Sequence, residues 1–223
     1  MRSPARTSLL ATAGIALFWA GVFTAGALVD GYSAQRDYVS SLASRGSPVA
    51  ALGVAALTAS AAAHLITAWL VLRSGRSRVL ATAIGLSGLA TLVVAAFRSS
   101  CPSGPAGCGI DVPGGSDAVE AIHGAGVGIY ELFTLVAMLV LAVASFRRSR
   151  RWPRWLGVAS LVFAVASVYL IGQTEGEDIG MWQRLWIANN QTWLLVVAWT
   201  TALRREPATS GRDQEGSSHQ GLV

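Results

Sequence analysis

The polar positions of this chain fall in clusters, and between the clusters lie six long apolar runs, at 9–29, 49–72, 79–97, 121–146, 155–171 and 185–203. A helix needs about 20 apolar residues, within a range of roughly 17–25, to cross the hydrocarbon of a bilayer. All six runs meet that requirement, the fifth at its short limit and the fourth with a polar beginning. Backbone groups cannot go unpaired in lipid, so each run is predicted to be helical. No proline interrupts any of them. The predicted fold class is therefore all-α, an integral membrane bundle of six transmembrane helices over residues 9–203. Residues 1–8 precede it. The polar stretch 204–223, with its Gly, Ser and Pro, is predicted to be a disordered tail.

Charge gives the bundle an orientation. Arg2 and Arg6 precede the first run, and Arg73, Arg76 and Arg78 separate the second from the third. Arg147, Arg148, Arg150, Arg151 and Arg154 separate the fourth from the fifth, and Arg204 and Arg205 follow the sixth. The other side holds only Arg36, Arg45, Arg98 and Arg184. The positive-inside rule makes the arginine-rich side cytoplasmic, with both termini there and the plasma membrane as the location. Trp69, Trp152, Trp155 and Trp199 are assigned by the same logic to the inner interface, and Trp182 and Trp186 to the outer one. The first run also carries the charge pattern of a cleaved signal peptide. Its length exceeds the usual 7–15 residues of such a segment, so it is expected to remain as a span.

Composition agrees with the runs. Charged residues make up 13% of the chain and hydrophobic residues 52%, against about 25% charged in a soluble domain. The mean hydropathy is +0.49 and the isoelectric point about 10.0. In a soluble chain such basicity would point to nucleic acid. Here the arginines flank apolar runs, so no nucleic-acid partner is expected. All 17 basic residues are arginine, a bias that suggests a GC-rich genome.

Candidate chemistry is sparse. Cys101 and Cys108 share the connection between the third and fourth runs, and Pro-Ser-Gly-Pro-Ala-Gly between them favours a tight reversal. On the outer side a disulfide is expected to persist. Glu131 lies roughly 15 Å into the fourth run by helical rise, where an ionisable side chain is functional or else paired inside the bundle. Asn189, Asn190 and Gln191 stand at roughly 6–9 Å, His123 near the outer surface and His64 at roughly 23 Å. A bis-histidine haem or metal site from His64 and His123 would have to bridge roughly 20 Å, so neither a metal nor a cofactor is expected. His64, at helical spacing from Ser60 and Thr67, is expected to be a hydrogen-bonded interior histidine. In the fourth run Glu120, Gly124, Val127 and Glu131 share one face, with His123, Val127 and Tyr130 on an adjacent stripe, and Gly124 with Gly128 offers a close-approach motif. Walker, nucleophile-elbow, His-Glu-x-x-His and dinucleotide fingerprints are all missing from the sequence.

Three segments carry a resemblance. They are Arg36-Asp37-Tyr38-Val39-Ser40-Ser41-Leu42, the stretch from Arg98 through Cys101-Pro102 and Asp111 to His123, and Gly180-Met181-Trp182-Gln183-Arg184-Leu185-Trp186. In this order on six spans they resemble the prokaryotic six-helix membrane family of unknown function, DUF998, across residues 9–203. The resemblance implies the architecture, with Asp37, Ser40, Asp111, His123 and Arg184 as recurrent outer polar positions. It implies no reaction, and the cysteine pair is not expected of the whole family.

Two functions are compatible with these features. One is a non-enzymatic protein that interacts with membrane lipids or a small amphiphile, or assists assembly, using Asp37, Arg98, Asn190 and Arg184 as ligand contacts. The other is a membrane-embedded enzyme acting on a lipid at the outer leaflet. In that case His123, Glu131 and Asp117 would supply acid–base chemistry, which requires them within hydrogen-bond reach of the reacting group.

Overall fold

Apolar runs bounded by arginine and by turn residues become helices in the computed structural model, which describes residues 4–100, 118–147, 152–174 and 176–203. The helices are α1 (Pro4–Ala27), α2 (Ala50–Arg73), α3 (Arg78–Ala96), α4 (Ala118–Phe146), α5 (Arg154–Gly172) and α6 (Ile179–Leu203). A single 3₁₀ turn, Ser40–Ala43, lies between α1 and α2. Among the described residues there is no strand. Cys101, Cys108, Asp111, Asp117 and the 204–223 tail lie outside the described residues.

Local chemistry explains the boundaries. Gly75 adopts φ +66 just after α2, a left-handed position that favours glycine and stops the helix. Ser77 then caps α3, its side chain accepting from the Leu80 N–H at 3.2 Å, and Pro153 precedes α5.

Each helix packs on the next in chain order. α6 closes the ring against α1 and also reaches α2. The two ends of the ring differ. One holds Pro4, Arg73, Arg78, Phe146, Arg154 and Leu203 and is the arginine-rich end. The other holds the 40–43 turn and is called here the turn end. The arginine-rich half is filled by a core that includes Val71, Leu80, Ile84, Met138, Leu141, Leu156, Trp193 and Leu194. α5 is the least enclosed helix, with Val158, Val162, Val165, Val168 and Tyr169 all exposed.

Five helices, α1 to α5, are long and apolar enough to cross a membrane by length and composition. The protein is therefore a multi-pass membrane protein. α6 has the length, at 25 residues, but its average is diluted by Asn189, Asn190 and Gln191. Asn190 and Gln191 are fully buried, so the hydropathy average counts polarity that the helix hides from its surroundings.

Three sequence expectations change. α6 begins at Ile179, six residues before the apolar run, because its polar first turns dock on the chain around Asp37. The buried face of α4 is His123, Gly126, Tyr130, Thr134, Ala137 and Leu141 together with Glu131, not the face carrying Glu120 and Gly124. A Cβ at Gly124 or Gly128 would meet open space, whereas one at Gly126 would press on Val94 at 3.0 Å. Close approach to α3 thus depends on Gly126. Finally, Trp69 and Trp155 are exposed as an interfacial belt requires, but Trp152 and Trp186 are core residues.

Candidate functional site

Two polar assemblies and one cavity occupy the turn-end half. The first assembly surrounds Glu131, which is 6% exposed. Its Oε1 accepts from the Ser167 hydroxyl of α5 at 2.7 Å. Its Oε2 accepts from the Trp186 indole N–H at 2.9 Å and from the Asn190 amide at 3.0 Å, both on α6. Ser167 Oγ also lies 2.7 Å from Asn190 Oδ1, so its single hydrogen serves one acceptor at a time. Asn189 extends the network by donating to the Phe163 carbonyl at 3.0 Å. All three donors to Glu131 are uncharged. The carboxyl thereby joins α4, α5 and α6 within the apolar interior, where leaving such groups unpaired is costly.

This contact corrects a depth. Counting α6 from residue 185 put Asn190 well above Glu131. Counting from Ile179 puts it roughly 17 Å from the helix start, and Glu131 stands at roughly 20 Å from the start of α4. Their hydrogen bond requires a shared level.

The second assembly is a clasp at the turn end. Arg184 Nη1 donates to the carbonyls of Ala34, Asp37 and Gly180 at 2.7, 2.8 and 2.8 Å. Arg184 Nη2 donates to the Tyr32 hydroxyl. Arg184 reaches Asp37 through its carbonyl, and the Asp37 carboxylate accepts from the Ser33 N–H at 2.6 Å. Gln183 Oε1 accepts from the Val39 N–H at 2.6 Å, and the Met181 N–H donates to the Gln35 carbonyl at 2.9 Å. Burial raises the Tyr32 hydroxyl above its ordinary pKa, and the neighbouring Arg184 opposes that shift. Two glycines make the clasp possible. A Cβ at Gly180 would collide with the Asp37 backbone, and one at Gly53 would meet the Leu42 carbonyl oxygen at 2.7 Å.

His123 belongs to neither assembly. Its Nδ1 lies 2.8 Å from the Phe97 carbonyl oxygen, tying α4 to the end of α3. It stands eight residues from Glu131, roughly 12 Å along the helix. Arg98, partly buried, follows α3. Nearby, Glu120 accepts from the Ser100 N–H at 2.9 Å. Of the residues singled out from sequence, the structure brings together Glu131 and Asn190 in one place and Asp37 and Arg184 in another. Ser167, not singled out from sequence, and Trp186, expected at the outer interface, complete the first group. A serine in an apolar helix is too common to be a signal, and a tryptophan near a helix end reads as interfacial unless its rotational position is known.

Between the assemblies lies a cavity of about 60 Å³ in the centre of the ring. Val39, Ser40 and Gln183 stand at the turn end of it, and Ser60 and Tyr130 lie deeper. Phe18, Leu57, Val94 and Ile187 make its walls apolar, and none of the residues lining it is charged. Trp186 belongs to both features: its ring lines the cavity while its N–H holds Glu131. Tyr130 packs edge-on against Trp186 and against His64, with centroids 5.6 Å apart in each case. His64 is buried, with Nδ1 2.9 Å from the Ser60 carbonyl oxygen, so Nδ1 carries the hydrogen of that bond.

Among the described residues no group of three or more His, Cys, Asp or Glu side chains is placed to hold a metal ion. A family model described as "Protein of unknown function (DUF998)" matches residues 12–200. No curated protein and no solved structure matches the chain.

Proposed function

The chain belongs to the DUF998 family, and from that premise we propose that it is a six-span plasma-membrane protein that binds a small amphiphile in the cavity at its outward-facing end. The six spans include α6, whose polar run is turned inward. The arginine asymmetry supports an orientation with both termini in the cytoplasm and the turn end outside. Single cysteines at exposed Arg78 and Glu177, introduced after replacing Cys101 and Cys108 by serine, test this topology. In intact cells a membrane-impermeant maleimide is expected to label Glu177→Cys and to spare Arg78→Cys until the membrane is opened. The reverse pattern would invert the orientation, and labelling of both positions would remove one of the helices between them, α3, α4 or α5, from the span count.

The observation that carries the binding reading is the cavity itself, apolar along its walls with a few polar side chains, Ser40, Ser60, Thr91 and Gln183, among its lining. Ligand sites share that design, apolar linings with a few placed polar groups. The enzymatic alternative draws less support from the geometry. Both oxygens of Glu131 are engaged by donors from α5 and α6, His123 is engaged with Phe97, and the two are about two helical turns apart. In native mass spectrometry of the detergent-released protein, a specific small adduct is expected on the wild type. Filling the cavity with Val127→Phe is expected to remove the adduct while leaving the unfolding midpoint within a few degrees. An adduct retained by Val127→Phe, or none on the wild type, would overturn the binding reading.

A further inference from the structure

We propose that the turn end of this cavity recognises the carbonyl oxygen of an acyl ester through Gln183 and Ser40, with the acyl chain in the apolar slot beneath. The inference rests on the binding reading above and adds the chemical class of the ligand.

Gln183 and Ser40 both line the cavity. The Gln183 amide can be oriented in only one way. The Val39 N–H donates to it at 2.6 Å, and only the oxygen end of an amide accepts from an N–H. Nε2 is therefore the other end, and it carries two hydrogens. Neither is given to any described residue, and Nε2 is not sealed inside the protein. The Ser40 hydroxyl, beside Val39 in the chain, is likewise accessible and bonded to no described residue. The two side chains thus bring three hydrogens to one end of the cavity, where the amide oxygen of Gln183 is already engaged.

Beneath them Phe18, Leu57, Val94, Val127 and Ile187 make the walls apolar. A ligand that suits both parts has a slender apolar chain and an end that accepts without bringing a hydrogen of its own. A carbonyl oxygen does so, with two lone pairs. An alcohol also accepts, but its hydrogen adds to an end that already holds more donors than acceptors. A carboxylate would bring its charge to a cavity with no charged lining residue, which is unfavourable. The Arg184 Nη atoms nearby are already bonded to three carbonyls and to Tyr32. An ester keeps the carbonyl and removes the charge. The limited volume, about 60 Å³, suits a chain better than a sugar or sterol ring.

The test uses the full chain in nanodiscs of ether-linked phosphatidylcholine, a host with no acyl ester. The probes are methyl bromohexanoate, bromohexanoate and bromoheptane, each measured against its concentration in the membrane. Bromine quenches nearby tryptophan, and Trp186 lines the cavity. Val127→Phe, which fills the cavity, sets the background from the other tryptophans. The expected result is saturable quenching by the ester, with affinity about tenfold above that of bromoheptane, the size of effect that two hydrogen bonds supply. Gln183→Glu keeps an acceptor for the Val39 N–H and deletes both amide hydrogens. It is expected to lower the ester to the affinity of bromoheptane, with bromoheptane itself and amide hydrogen exchange over 33–47 unchanged. If exchange there accelerates, Ser40→Ala takes its place and is expected to narrow the ester's preference at least about twofold. A preference that survives both variants overturns the assignment to Gln183 and Ser40. Equal binding of ester and bromoheptane, or tighter binding of bromohexanoate, overturns the ester proposal and leaves the cavity reading standing. Quenching no greater than in Val127→Phe overturns both. Changing the host to diacyl phosphatidylcholine separates the sources. Displacement of the probe by that host supports a membrane glycerolipid as the natural ester, and retention supports an acyl ester that arrives from the aqueous side.

Discussion

Replacing Glu131 by leucine is expected to destabilise the protein by roughly 2–5 kcal/mol, because it strands several buried donors together. The Trp186 indole N–H and the Asn190 amide lose their acceptor, while the Ser167 hydroxyl keeps only Asn190 Oδ1. Each buried donor left unsatisfied costs about 1–3 kcal/mol in a protein interior. Within a membrane the measured values run lower, about 0.6 kcal/mol on average, since unfolded helices also find partners. The estimate spans both regimes. Glutamine should cost less, because its carbonyl oxygen still accepts, while its amide hydrogens confront the donors that the second carboxyl oxygen had satisfied. The measurement is the unfolding midpoint of the detergent-solubilised protein, expected in the order wild type, Glu131→Gln, Glu131→Leu. If Glu131→Leu were as stable as wild type, the carboxyl would not hold α4, α5 and α6 together. A Glu131→Gln protein of undiminished stability that had lost a measurable reaction would favour the enzymatic reading instead.

The Glu131 network also shows which part of the site could be read from sequence. A carboxyl in the middle of an apolar run is conspicuous, since hydrocarbon tolerates one only with partners or a purpose. Its partners are another matter. Asn190 stands out for the same reason, but a helix begun at the first apolar residue puts it at the wrong depth, because α6 starts at Ile179. The turns from Ile179 to Arg184 are helical owing to contacts with residues 34–39, contacts formed across more than a hundred residues of sequence. For a related reason the sequence does not choose between the two adjacent rows of α4. His123, Gly126, Tyr130 and Thr134 are spaced by threes and fours, as Glu120, Gly124, Val127 and Glu131 are, and the two rows lie side by side. In a helix apolar on nearly all sides no polar face fixes the phase. The apolar runs themselves needed no such information, because crossing hydrocarbon requires length and hydrophobicity whatever the neighbours are. The 40–43 turn was invisible for the opposite reason: it packs against Gly53 through backbone proximity, which leaves no periodic trace.

Arg184→Met is expected to release the segment 33–47 while leaving the arginine-rich half of the bundle intact. The guanidinium serves the carbonyls of Ala34, Asp37 and Gly180 and the Tyr32 hydroxyl together. Hydrogen bonds to a charged donor contribute about 1.5–3 kcal/mol each. This clasp is only half-buried, so water replaces part of what is lost, and a net local cost of about 2–4 kcal/mol is expected. Because the helices beneath keep their own core around Leu141, Trp193 and Leu194, the opening should be local, as is common for elements with few buried apolar contacts. Amide hydrogen exchange in peptides covering residues 33–47 should accelerate by more than about tenfold, the factor that corresponds to 1.4 kcal/mol. Peptides from the middle of α3 and α4 should be unchanged. Arg184→Lys should fall between the two, since a single ammonium lacks the planar fork that reaches several acceptors at once. This outcome bears on the cavity as well. Val39 and Ser40 line its turn end and are held there through Gln183 and Arg184. A released segment would therefore widen access and weaken retention of any occupant. If instead Arg184→Met abolished ligand binding with exchange over 33–47 unaltered, Arg184 would be a direct ligand contact and the clasp would owe its stability to Gly180 packing and the Gln183 bond.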